Sequence, residues 1–140
     1  MSEKENLATA QRYIEALSSG KGPDHVSQFY APDVLQENFP NRLLPHGATR
    51  DLEALKQART RGKALLSAER FDLLGALASG DQVAMELRWS GTVAQDAGPF
   101  RAGLTLRARF VLFLEFRDGR IVRQRNYDCF EAWHSGPTSG

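Results

Sequence analysis

Along the first half of the chain apolar residues recur every three or four positions, and from Ser67 onward they recur every second position. The first spacing is that of a helix with one buried stripe, the second that of a strand with one buried face. Leu7, Ala10, Ile14 and Leu17, with Tyr13 on the same stripe, predict an amphipathic helix over 7–19 that stops at Gly20 and Gly22. Pro23 suits a first helical turn, and Val26, Phe29 and Tyr30 give a second, short helix its apolar face before Pro32 ends it. Asp33 to Phe39 reads as a strand and Pro40 to Gly47 as a loop. Thr49 is positioned to cap a third helix running to about Arg61, with Leu52, Leu55 and Ala58 on one side.

In the second half, Phe71, Leu73 and Leu77 alternate up to a Ser79-Gly80-Asp81 turn, and Val83, Met85, Leu87 and Trp89 alternate beyond it, which predicts a hairpin. Ala94 to Gly103 is a longer connection. Leu104, Leu106, Ala108, Phe110, Leu112, Leu114 and Phe116 then share one face of a single strand. At roughly 3.3 Å per residue that strand spans about 43 Å, well beyond the usual length, so it is expected to bend around a core. Asp118-Gly119 is a turn signal, and Ile121 to about Phe130 returns antiparallel. Helices first and a long antiparallel sheet afterwards predict an α+β domain, a cone of N-terminal helices on a strongly curved sheet that encloses a pocket.

Composition narrows the class. A chain of 140 residues, 41% hydrophobic and 25% charged, is the size and make-up of one globular domain, with about 134–140 expected to be a frayed tail. Its single cysteine, Cys129, offers no intrachain disulfide, and Met1 to Asn6 is too polar for a signal segment, so a cytoplasmic protein is expected. No apolar run is long enough to span a bilayer, and a net charge of +1 gives no overall attraction to nucleic acid. Three scattered histidines beside one cysteine have no metal-ligand spacing, and no phosphate-binding loop or nucleophile elbow is present. No metal or cofactor is therefore called for.

Several stretches, taken in order, resemble the nuclear transport factor 2-like superfamily with its SnoaL-like and ketosteroid-isomerase-like members. They are Gln11-Arg12-Tyr13-Ile14-Glu15-Ala16-Leu17 followed by Gly20; Phe29-Tyr30-Ala31-Pro32-Asp33-Val34; Ala78-Ser79-Gly80-Asp81-Gln82-Val83-Ala84; Trp89-Ser90-Gly91-Thr92; and Phe116-Arg117-Asp118-Gly119-Arg120-Ile121-Val122 leading to Asn126-Tyr127-Asp128. The resemblance spans nearly the whole chain and implies the cone fold, whose members include isomerases, cyclases, dehydratases, hydrolases and non-catalytic binding modules. It places Tyr13 where the isomerases carry a tyrosine that donates to a developing enolate oxygen. It also puts Asn38 and Leu112 where they carry two acids. An amide does not shuttle protons and leucine does not donate a hydrogen bond, so steroid isomerisation by that route is not expected. In the cyclases and hydrolases a working carboxylate comes from the last strand, where this chain has Asn126 and, two residues on, Asp128.

Whether Asp128 faces the pocket depends on the register at Asp118-Gly119, since a slip of one residue moves every side chain to the other face. A plain two-residue turn sets Leu114 against Arg123 and Leu112 against Arg125, and pairs Arg109 with Asp128. A three-residue loop with a bulge instead turns Val122, Gln124, Asn126 and Asp128 inward, opposite Leu114, Leu112, Phe110 and Ala108, and leaves Arg107, Arg109, Arg123 and Arg125 outside. The second is preferred, because desolvating unpaired guanidiniums costs more than lining a polar pocket with amides and one carboxylate.

On that register Asp128 is the candidate proton-transfer group, its carboxylate made less acidic by apolar neighbours, and Tyr13 is a hydrogen-bond donor. Asn38, Gln124 and Asn126 orient the ligand, Trp89, Phe110 and Leu112 form the wall, and His46 in its loop reaches the pocket mouth. Cys129 reads as a small buried hydrophobe. The leading expectation is an enzyme that applies general acid/base chemistry to a compact hydrophobic molecule. The alternative is a non-catalytic binding or association module of the same fold. A homodimer through the outer sheet face, where Val111 and Phe113 sit among charges, is expected in either case.

Overall fold

The structure is a computed structural model describing residues 2–133, so the tail expected over 134–140 lies outside the described residues. Helix α1 runs Glu3–Ser18, four residues earlier than the apolar stripe begins, because Ser2 and Glu5 form a reciprocal capping box. Helix α2 (Pro23–Val26) leads through a single 3-10 turn (Ser27–Phe29) into β1 (Tyr30–Asn38). A short strand unmarked by periodicity, β2 (Ala48–Arg50), precedes α3 (Leu52–Leu65), whose cap is Asp51 rather than Thr49: the Asp51 carboxylate accepts from the Ala54 amide at 2.9 Å. Strands β3 (Leu66–Ser79), β4 (Gln82–Val93), β5 (Thr105–Arg117) and β6 (Arg120–Phe130) complete one six-stranded sheet.

The strand order is β2-β1-β6-β5-β4-β3, antiparallel throughout except for the β1–β6 pair. The sheet is curled but not closed, and the helices lie on it, so the α+β expectation holds. Helix α1 packs on β3 and β4, while α3 crosses β1. One apolar cluster (Ala10, Tyr13, Ile14, Val83, Leu87, Leu114, Phe116 and Ile121 among its members) fills the space under α1. A second, centred on Trp89, Val93, Leu106 and Ala108, draws in Phe71, Phe100, Phe110, Phe130 and Trp133 at the other end of the long strands.

The decisive hairpin combines parts of both registers considered for it. Asp118 (φ 51°) and Gly119 (φ 78°) form a tight two-residue turn, with Arg117 opposite Arg120, as positive φ at both centres requires of the twisted hairpin turn. A bulge immediately follows: Phe116 pairs with Ile121 but Glu115 pairs with Arg123, so Val122 is the extra residue and both Ile121 and Val122 are buried. Beyond it Gln124 lies opposite Leu114, Asn126 opposite Leu112 and Asp128 opposite Phe110, two residues out of step with the pairing expected for the inward register. The inner face is the one expected.

A bulge in β3 between Leu73 and Gly75 has the opposite outcome for another residue. It reverses the alternation, so that Ala76 and Ala78 pack on the core and Leu77 is left 77% exposed. Cys129 is exposed too, on the outward face of β6 beside Arg109, and is not the buried hydrophobe expected.

Candidate functional site

Between α1, α3 and the inner faces of β1 and β6 lies a cavity of about 210 Å³. Its polar floor is a two-by-two block: Gln36 and Asn38 on β1 stand in register with Gln124 and Asn126 on β6. Parallel pairing of two strands that both carry amides at alternate positions puts all four on one face. They are joined end to end. Tyr13 Oη donates to Gln124 Oε1 at 3.2 Å, Gln124 Nε2 to Asn126 Oδ1 at 2.9 Å, Asn126 Nδ2 to Asn38 Oδ1 at 3.1 Å, and Asn38 Nδ2 to Gln36 Oε1 at 2.8 Å. Tyr30, 2.6 Å from Tyr13 hydroxyl to hydroxyl, starts the chain. Each amide accepts at its oxygen and all but Gln36 donate from nitrogen, so the bonds run in one direction; the three donating nitrogens each keep a second N–H and that of Gln36 keeps both.

Tyr13 is 1% exposed and its single proton goes to Gln124, so it reaches a ligand directly only by releasing that amide. Burial raises its pKa, and raises that of Tyr30 well above the ordinary phenol value, so both hydroxyls stay neutral donors. Tyr30 and Gln36 were not singled out from sequence. Tyr30 was masked by its place at the end of an apolar helical stretch, and Gln36 by the absence of any cue that β1 pairs with β6 in parallel.

Asp128 continues the β6 row one step past Asn126, on the same face and opposite Phe110, at the rim and not among the residues that line the cavity itself. Its Oδ1 is buried and has no hydrogen-bond partner among the described residues. Desolvation raises its pKa to about 6, against a weaker opposing pull from Arg50. A second carboxylate, Glu69 on β3, lines the cavity from the opposite wall. Burial raises its pKa too, but it is held: Trp89 Nε1 donates to Oε2 at 2.9 Å and Arg59 lies 3.8 Å from Oε1.

Phe110 and Leu112 line the cavity, joined by Phe71 and Leu55. Trp89 does not line it. Its ring stacks on Phe110 at 5.3 Å between centroids, one layer back, and its indole nitrogen orients Glu69. His46 is exposed and lines no part of the cavity. The Asn41 side chain accepts from the amides of Leu43 and Leu44, and Gly47 (φ 68°) passes so close to the Asn38 carbonyl that a Cβ there would lie 2.5 Å from it; the loop is thereby folded back on itself with His46 pointing out. Among the described residues no group of three or more His, Cys, Asp or Glu side chains is arranged to hold a metal ion, and no helix is long and apolar enough to cross a membrane.

The family model of the SnoaL-like domain matches residues 10–124. The chain belongs to the SnoaL-like domain family. Solved structures share the fold at low identity. AclR of Streptomyces galilaeus, described as a proposed hydroxylase, superposes with a TM-score of 0.76 at 15% identity over 97% of this chain and 83% of its own. IdmH of Streptomyces antibioticus, described as a proposed polyketide cyclase, gives 0.74 at 22% identity over 88% and 91%. A Catenulispora acidiphila protein of ketosteroid isomerase-like fold, solved in complex with trimethylamine, gives 0.63 at 18% over 82% and 83%. No curated protein matches in sequence. The SnoaL-like match ends at Gln124, so Asn126 and Asp128 lie just past the part of the chain that the family model covers.

Proposed function

We propose that this SnoaL-like chain is a small-molecule enzyme that transfers protons by general acid/base chemistry on a compact, largely apolar substrate. The observation that carries the reading is Asp128: a carboxylate on the inner sheet face, with a buried oxygen that no described residue holds and a pKa raised to about 6. Such a group is ionised at neutral pH, basic enough to take a proton from carbon beside a carbonyl, and acidic enough to return it. About 7 Å along the strand, at ~3.3 Å per residue, Asn126 begins the row of amides. Their second N–H groups are placed to hold the oxygen on which charge develops, with Tyr13 and Tyr30 fixing the row's polarity. Asn38, Gln124 and Asn126 thus orient the substrate, and Phe110 and Leu112 cover its apolar part.

Because one structural neighbour is described as a proposed polyketide cyclase, poly-β-carbonyl compounds are the first substrates to test. Turnover that is lost in Asp128→Asn with ligand binding retained supports the reading. Turnover unchanged in that variant rejects Asp128 as the proton-transfer group, whereas binding without turnover in the wild-type protein favours a non-catalytic binding module, the reading that the absence of ionisable groups at Asn38 and Leu112 supports. In the same proposal the chain pairs with a second copy through the outer sheet face, where Tyr127 stacks on Phe39 (4.6 Å) and meets Phe113 edge-on (5.9 Å). A monomer mass by light scattering at micromolar concentration excludes this pairing.

A further inference from the structure

Three cations line the cavity, Arg50, Lys56 and Arg59, and they differ in what already holds them. Arg59 is fully engaged: its Nη1 donates to the Leu17 carbonyl at 3.1 Å, its Nε and Nη2 to the Lys21 carbonyl at 3.2 and 2.8 Å, and the same group faces Glu69. It closes the end of α1. Lys56 lies 4.0 Å from the Asp24 carboxylate at the outer edge. Arg50, half-buried on β2, has neither a side-chain hydrogen bond nor an ion pair among the described residues.

A guanidinium carries five N–H donors, and partial burial without an acceptor disfavours its charged form. That cost is visible in a pKa pulled down by desolvation, with Arg61 adding repulsion. Arg50 does not reach Asp128 in a hydrogen bond, although each feels the other's charge. Its register partner on β1 is Gln36, the last member of the amide chain, whose nitrogen donates to no described residue. Two neighbouring side chains, one charged and one neutral, therefore present unused donors to the same cavity, and no described residue supplies the acceptor they lack.

We infer that Arg50, with Gln36 beside it, is the binding site for a carboxylate carried by the ligand, so that the substrate class is an apolar monoanionic acid. This rests on the cavity being the ligand site. A single unpaired guanidinium suits one negative charge in a two-oxygen, planar group, which it grips with two parallel hydrogen bonds. A dianionic phosphate group is disfavoured because Arg59 is engaged and Asp128 adds negative charge nearby. The carboxylate end docks at the β1–β2 edge, and the apolar body extends over Leu112 and Phe110 toward Asp128.

The test is calorimetric titration at pH 7.5 with 2-naphthoate and with its neutral counterpart, 2-naphthamide, on wild-type protein and on Arg50→Met, Arg50→Lys and Asp128→Asn. Wild type is expected to bind the acid at least tenfold more tightly than the amide. Arg50→Met removes that preference while leaving amide affinity within about twofold, which also shows that the variant is folded. Arg50→Lys keeps part of the preference, and Asp128→Asn, which removes a neighbouring negative charge, does not reduce it. Equal affinity for acid and amide in wild type, a preference that survives Arg50→Met, or binding of neither probe overturns the inference. Equal affinity for the two probes in wild type, with both bound, leaves the cavity as a ligand site and removes only the anion subsite. The role of Asp128 in turnover is decided separately by the activity of its own variant.

Discussion

Strands β6 and β3 each carry a half-buried carboxylate, Asp128 one step beyond the amides that line the cavity and Glu69 in the cavity wall, and the two are treated differently. Glu69 on β3 is raised in pKa by burial but has both oxygens engaged, by Trp89 on one side and Arg59 on the other. Asp128 on β6 is raised for the same reason, yet has a buried oxygen with no partner among the described residues. Desolvation is common to both, so it does not distinguish a working group from a structural one. Freedom from partners does, because a carboxylate already gripped by an indole and a guanidinium must break those contacts before it moves a proton.

The sharpest way to break this contrast is in turnover. Asp128→Asn is expected to lower kcat by ~10²–10⁴-fold, the usual contribution of a positioned acid or base, whereas Glu69→Gln lowers it by less than about tenfold; steady-state kinetics in which the Glu69 variant suffers more reverses the assignment. The pH profile follows from the same pKa. Activity that needs ionised Asp128 rises through about pH 6, and this limb disappears from any residual rate of Asp128→Asn.

Stability separates the two carboxylates in the opposite sense. A carboxyl group whose pKa is raised from 3.8 to about 6 on folding is neutral in both states below the lower value, and its ionisation weakens the fold progressively until the upper one is passed. Asp128→Asn is therefore expected to stabilise the protein above pH 6, by on the order of 1–3 kcal/mol, and to have no such effect near pH 3.5. Glu69→Ala leaves the Trp89 N–H without its acceptor and destabilises by ~1–2 kcal/mol. Urea denaturation at pH 8 and near pH 3.5 measures both. Tyr13→Phe is the mildest change, removing one donor at the head of the amide row for a cost of about 1 kcal/mol and a rate loss smaller than that of Asp128→Asn. A rate loss equal to that of Asp128→Asn makes Tyr13 the direct donor instead.

Much of the fold was legible because periodicity is a local property. The stripe of α1, the β3–β4 hairpin and the six alternating apolar positions of β5 from Leu106 to Phe116 follow from side-chain spacing alone. Residues that periodicity misplaced sit at bulges. Leu77 belongs to an apolar alternation that the β3 bulge turns outward, and the inward direction of Asp128 depends on Val122 being inserted between two ladder pairs. An extra residue leaves no mark in the pattern except two adjacent buried positions, Ile121 and Val122, which read equally well as a strand buried on both faces.

For the candidate site the division is similar. Asn38, Gln124 and Asn126 were recognisable as polar residues on otherwise apolar faces, and Asp128 as the charge in the same row. The free state of Arg50, the tether on Glu69 and the place of Tyr30 and Gln36 in the hydrogen-bond chain were not. Each depends on which distant segment arrives opposite: β1 lying parallel to β6, β2 pairing beside β1, and Arg59 turning toward the carbonyls that end α1. The amino-acid sequence by itself determined the helices, the long strands and their order, with β2 and Gln36 left unmarked, because side-chain alternation and helical spacing are written residue by residue. The tertiary structure alone decided which of those polar groups are satisfied and which are left over, because satisfaction is a property of pairs brought together across the chain.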